Sequence, residues 1–272
     1  MRRLLNSISG AVLIFLFTHS YCFAGLDLDG TDDNIHHNTF STIDNATSLS
    51  CSAWINSDTA NTDDGIMAQV LTSSDGFSFF RDDVGSVSGR TDIINIFVAE
   101  GSGTDNARIE SATNSATAGV WRNVVFTLIV ADSSGLRLYI NGVEDANSPV
   151  STSAVANINS GGNRFRIGIH SDASSIPFDG KIADVACWTA VLTANEVAML
   201  ASSRVKRIPL QIQPASLFFY LPTDNIAEGT NCTDASALLV IDESNNRNNF
   251  ECLDGANNTG MSAISEQNIS YP

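Results

Sequence analysis

Between residues 48 and 188 short apolar runs recur, separated by polar stretches. They read "SLSCSAWI" (48–55), "GFSFF" (76–80), "IINIFVA" (93–99), "VWRNVVFTLIVA" (120–131), "GLRLYI" (135–140), "RFRIGIH" (164–170) and "KIADVACW" (181–188). Many alternate or carry β-branched and aromatic residues, and Asn, Ser, Thr, Gly and Asp fill the gaps. The pattern predicts an all-β protein, a two-sheet antiparallel jelly-roll sandwich. Asn141-Gly142 after "LRLYI" predicts a tight hairpin, because both positions accept positive φ. In "LDLDGTDD" (26–33), Leu26 and Leu28 alternate with Asp27 and Asp29 as a half-buried strand that enters a turn at Asp29-Gly30. One helix interrupts the strands. "TANEVAML" (193–200) opens with a capping box between Thr193 and Glu196, and Val197 and Leu200 give it an apolar side.

The two ends of the chain depart from this pattern. Residues 1–24 combine Arg2 and Arg3, an apolar run from Ala11 to Phe17, and small residues Cys22 and Ala24 before Gly25. These features predict a secretory signal peptide, too short to span a membrane. At 204–215, "RVKRIPLQIQPA" packs three basic residues and two prolines into a dozen, which marks a boundary. Residues 25–203 then form the main jelly-roll domain. Residues 204–272 form a linker and a strand segment with two strand candidates, "SLFFYL" (216–221) and "ALLVI" (237–241). The tail is small for a core of its own and is expected to complete the same sandwich.

Composition narrows the function. With 14 Lys+Arg against 30 Asp+Glu, the net charge of -16 opposes nucleic acid and anionic lipid. The leader implies a secreted, periplasmic or cell-surface location without membrane insertion. Loss of Cys22 with the leader leaves Cys51, Cys187, Cys232 and Cys252, an even number suited to an oxidising compartment. Acidic loops suit calcium, which takes oxygen ligands.

From "LDLDGTDDNI" to "NEVAML" the chain resembles the LamG-like jelly-roll domains of the concanavalin A-like superfamily, relatives of laminin G domains and pentraxins. "SLSCSAWI", "VWRNVVFTL", "GLRLYINGVE" and "FDGKIADVACWTAVLTANEVAML" fall in the family's order. The tail resembles the family too, in an unexpected place. "SLFFYLPTDN" and "DESNNRNN" are similar to a strand and loop that normally precede the "DGTDD" turn. Either the domain is permuted or the tail begins a truncated second module.

The resemblance implies two sheets and a non-catalytic partner-binding role, with a glycan or an extracellular protein as ligand. A structural or decoration role on an envelope or particle is the first alternative, and a carbohydrate-active enzyme the second. The glucanase pattern of a nucleophile and an acid at alternate positions of one strand, Glu-x-Asp-x-x-Glu, does not occur. The tryptophans Trp54, Trp121 and Trp188 occupy the family's structural strand positions. Phe77 and Phe178 are the loop aromatics expected to be exposed, and His36, His37 and His170 are expected to be exposed polar residues. Cys51 and Cys187 lie on two family strands at inward positions, as a disulfide or as two buried thiols; the pairings expected are Cys51–Cys187 and Cys232–Cys252. A structural calcium is expected where Asp242, Asn245 and Asn248 of the tail loop meet Asp32 or Asp33 of the opening turn. The competing role for these residues is to form Asx-turns.

Overall fold

The computed structural model describes residues 25–37, 40–60, 62–70, 76–85, 89–100, 107–148, 154–159, 163–170, 176–202, 208–223, 239–253 and 262–264. The leader and Cys232 lie outside the described residues. The strands run β1 (Gly25–Asp29), β2 (Asn34–His37), β3 (Ser48–Ser57), β4 (Asp64–Val70), β5 (Gly76–Val84), β6 (Thr91–Ala99), β7 (Ala107–Glu110) and β8 (Arg122–Ile129). They continue as β9 (Arg137–Ile140), β10 (Val143–Glu144), β11 (Phe165–Ile167) and β12 (Asp179–Trp188). After the helix α1 (Ala194–Ala201) come β13 (Leu217–Leu221), β14 (Leu239–Val240), β15 (Phe250–Leu253) and β16 (Ser262–Ile264).

Two antiparallel eight-stranded sheets result. The first has the order β10-β9-β8-β3-β12-β1-β16, with β13 also on β12; the second has the order β14-β15-β2-β11-β4-β5-β6-β7. Alternation along the strands explains the layering. Leu49, Cys51, Ala53 and Ile55 of β3 point inward, as do Phe77 and Phe79 of β5 and Ile94, Ile96 and Val98 of β6. The tail contributes to this core. Phe219 of β13 and Phe250 of β15 have ring centroids 4.9 Å apart, and Phe165 of β11 lies 5.1 Å from Phe219.

The tail strands join both sheets. β13 pairs with β12, β15 with β2, and β16 with β1. The 204–215 stretch reads as a linker, yet from Ile208 onward it packs. Residues Ile208–Gln211 form a 3-10 turn, with Pro209 buried. Ile212 caps an apolar cluster on the outer side of the first sheet, with Val125, Tyr139, Ala186 and Trp188. The helix α1 covers the same cluster through Val197 and Leu200. Its capping box is formed as the sequence predicts. All three tryptophans are buried, and the Trp188 indole donates to the Ile212 carbonyl at 2.8 Å.

Other local expectations hold. Asn141 (φ 50°) and Gly142 (φ 79°) form the two-residue turn between β9 and β10. Cys51 and Cys187 face each other across β3 and β12 and are joined by a disulfide. Cys252 is also disulfide-bonded. Two expectations fail. Phe77 and Phe178 are both 0% exposed, because Phe77 lies on the inner side of β5 and Phe178 is turned into the core just before β12. His36 is buried at 3%, because its neighbours across the sheet are long side chains rather than water. No helix among the described residues is long and apolar enough to cross a membrane.

Candidate functional site

The opening turn gathers three carboxylates. The Asp33 Oδ2 accepts the Asp29 N–H at 2.9 Å, and the Asp29 Oδ1 accepts the Thr31 N–H at 2.8 Å. These are Asx-type bonds that a tight turn makes by itself. One oxygen each of Asp29, Asp32 and Asp33 lies within 4.8 Å of the others. The Asp32 Oδ1 atom is buried and makes no hydrogen bond.

The tail loop is spent elsewhere. The Asp242 side chain is fully buried. Its Oδ1 accepts the N–H groups of Tyr220 and Ser244, both at 2.8 Å. Its Oδ2 accepts the Ser244 hydroxyl at 2.8 Å and the Asn248 N–H at 2.6 Å. Four donors fill the carboxylate. The Asn248 amide donates to the Phe218 carbonyl at 2.7 Å and the Asn246 amide to the Leu217 carbonyl at 2.8 Å. The loop therefore lines the edge of β13 that β12 leaves open. Asn245 is exposed.

The expected convergence with Asp32 and Asp33 does not occur. β15 pairs antiparallel with β2, with Glu251 opposite His36 and Leu253 opposite Asn34. The 242–248 loop precedes β15 and so lies at the His37 end of β2. Asp32 and Asp33 lie at its Asn34 end, about 10 Å away at the rise of a strand.

The outer side of the second sheet holds a feature that the sequence reading missed. Register places Glu251, His36, Arg166, Ala68, Ser78, Phe97 and Arg108 in one row across seven strands. Directly opposed residues share a face, so this whole row points away from the core. The next row holds Phe80, Asn95 and Glu110. The small residues Ala68 and Ser78 form a floor between Arg166 on one side and Phe97 with Arg108 on the other. Arg166 and Arg108 are four strands apart, roughly 19 Å. The Arg108 guanidinium stands 5.3 Å from the centre of the Phe97 ring and 3.8 Å from Glu110.

Polar groups on this face are deeply set. Asn95 is 0% exposed, and Asp82 and Glu110 are 6% exposed. The Asn95 amide donates to Asp82 at 3.2 Å, while its own oxygen makes no hydrogen bond. Burial pushes the Asp82 carboxyl above its ordinary range; the Asn95 bond opposes this, and the charges of Asp63 and Glu110 add to it. The chain leaving β11 crosses the face beside this cluster. The His170 ring meets Phe80 edge-on at 4.4 Å, and the Ser78 hydroxyl donates to the His170 carbonyl at 2.8 Å. The crossing needs Gly65, where a Cβ would lie 2.1 Å from the His170 nitrogen. The readable signals were Asn95 inside the apolar run of β6, and Ser78 and Asp82 at alternate positions of β5.

Solved structures are similar to the chain at low identity. A protein of Bacteroides ovatus described as a "putative carbohydrate binding protein" aligns over 91% of this chain with a TM-score of 0.57 and 17% identity. The alignment covers 61% of that protein's length. A heptameric pentraxin of Limulus polyphemus aligns over 68% of this chain and 84% of its own, with 16% identity and a TM-score of 0.48. The CBM40 module of a Ruminococcus gnavus sialidase aligns over 65% of this chain and 96% of its own, with 13% identity and a TM-score of 0.48. No curated protein sequence matches the chain. A laminin G-type model of the concanavalin A-like lectin/glucanases superfamily matches residues 29–198, more than half of the sequence, and the chain belongs to that superfamily.

Proposed function

We propose that the protein is exported and recognises a glycan without catalysing a reaction, using the outer face of the second sheet. One observation carries the reading. Arg166, Phe97, Arg108, Asn95, Asp82 and Glu110 share one outward face around a floor of small residues. Aromatic rings flanked by charged and amide groups can stack on a sugar and bond its hydroxyls. The opposite outer face is occupied by α1 and the 208–212 segment. A glycan array followed by calorimetry tests the reading. Phe97→Ala and Arg108→Ala should each weaken binding about tenfold, roughly 1.4 kcal/mol, with little change in melting temperature. Tight binding that ignores both variants would move the site elsewhere. No glycan binding at all would favour a protein ligand or a structural role on an envelope or particle.

A hydrolytic reading has one observation behind it, the raised Asp82 carboxyl near Glu110. Polysaccharide turnover that Asp82→Asn abolishes would establish it over simple binding.

Calcium keeps a narrower place. Asp29, Asp32 and Asp33 offer three carboxylates in one turn, and the unbonded Asp32 oxygen suits a cation. An unfolding midpoint unchanged by EDTA would remove calcium from the reading.

A further inference from the structure

Three acceptor groups meet on the outer face of the second sheet, where β6 runs between β5 and β7. Asn95 of β6 lies directly opposite Glu110 of β7, and its amide nitrogen donates to Asp82 of β5 at 3.2 Å. The Ser111 N–H donates to the Ile94 carbonyl at 2.9 Å, so Ile94 and Ser111 face each other as a hydrogen-bonded pair. Asn95 and Glu110 are then the neighbouring non-hydrogen-bonded pair, the kind whose side chains stand closer together. The Asn95 nitrogen and oxygen diverge from one carbon. With the nitrogen turned to Asp82 on β5, the oxygen turns toward β7 and Glu110.

That oxygen is buried and makes no hydrogen bond, in a residue that is 0% exposed. A buried acceptor without a donor is destabilising and calls for a partner. Ionised carboxylates only accept, so Asp82 and Glu110 cannot supply the donor. Arg108, 3.8 Å from Glu110, offsets one negative charge, while burial and the charges of Asp63 and Glu110 push the Asp82 carboxyl up. Two rings border the group. Phe80 lies opposite Asn95, and Phe97, half-buried, is the next outward residue along β6. Asp82 and Glu110 each keep 6% of their surface open, an opening that suits one small functional group rather than a whole sugar ring.

We infer that this cluster takes the ammonium group of an amino sugar, with Asn95 Oδ1, Asp82 and Glu110 accepting its three N–H bonds. An ammonium brings three donors and a positive charge, which match three acceptors of negative net charge. A sugar hydroxyl brings one donor and no charge. The sugar ring stays on Phe97, whose face also favours a cation. The net charge of -16 draws cationic ligands toward the chain. The inference rests on the glycan reading above and narrows it to sugars with a free amine.

The test is calorimetry on the full chain with two oligosaccharides of equal length, a chitosan oligomer and the matching chitin oligomer, at a pH that keeps the free amine charged. They differ only in acetylation of the amine. The chitosan oligomer should bind about tenfold tighter or more. Equal or weaker binding would overturn the inference. Asn95→Leu removes the acceptor at similar volume and should cut the preference about tenfold while chitin binding stays unchanged. A preference that survives Asn95→Leu would also overturn it. Should that variant fail to fold, Asp82→Asn carries the same expectation. Chitin binding without a preference for chitosan removes the ammonium and leaves the glycan reading standing, whereas failure of every glycan on the array removes both. A polylysine peptide that binds where chitosan does not would move the cluster from sugars to proteins.

Discussion

Replacing Asp242 with alanine probes the tail's attachment most directly. The change removes one fully buried carboxylate that four donors share at 2.6 to 2.8 Å. A buried donor left without an acceptor costs about 1–3 kcal/mol. Asn248 borders solvent, and its N–H can turn to water. The Tyr220 N–H lies in the middle of β13 and has no such exit. Two buried donors and a collapsed loop give an expected loss of about 4 kcal/mol. At the usual 2–4 °C per kcal/mol for a chain of this size, the melting temperature should fall by about 8–16 °C. Asp242→Asn keeps one acceptor oxygen and should cost about half as much. Tryptophan fluorescence reports the transition, since Trp54, Trp121 and Trp188 are all buried. A loss below about 1 kcal/mol would refute this role for Asp242. So would an equal loss on adding EDTA to the parent protein, because Asp242 would then be holding a metal.

Three further outcomes follow from the fold. The Cys51–Cys187 bond closes 136 residues, which the chain-entropy relation values at about 5 kcal/mol. Cys51→Ala/Cys187→Ala should lower the urea midpoint accordingly, while alkylation and mass analysis should find the native bond resistant to dithiothreitol because both sulfurs are buried. Gly65→Ala drives a Cβ into the His170 backbone; differential scanning fluorimetry should show a loss of about 3 kcal/mol, and an unchanged midpoint would contradict the crossing. The raised Asp82 carboxyl makes the folded chain hold more protons than the unfolded one, so stability should fall as pH rises from the ordinary aspartate value of 3.8. Asp82→Asn should flatten that decline in a pH series of melts, and parallel curves would refute it.

Elements that carry their own signal were legible in the sequence. β5, β6 and β8 alternate, Asn141-Gly142 imposes its turn, and Thr193 with Glu196 caps its helix. β2 (NIHH), β7 (ARIE) and β15 (FECL) are four residues long and partly polar, so only their neighbours define them. The site was harder for a related reason. Asp242 and Asn248 stand out as oxygen donors, but their partners are backbone groups of β13, which composition cannot reveal. The outward row from His36 to Arg108 spans six strands far apart in sequence, and only cross-strand register makes it a surface.

The pairing of chain start with chain end also dictates an order of events during synthesis. β1 and β2 leave the ribosome well before β12 and β11, and longer still before their other partners β16 and β15. Until those last strands arrive, β1 and β2 each keep one open strand edge. For an exported chain that delay is useful. A polypeptide whose sheets still have open edges stays threadable through a translocation channel, and late strands can seal both sheets on the far side.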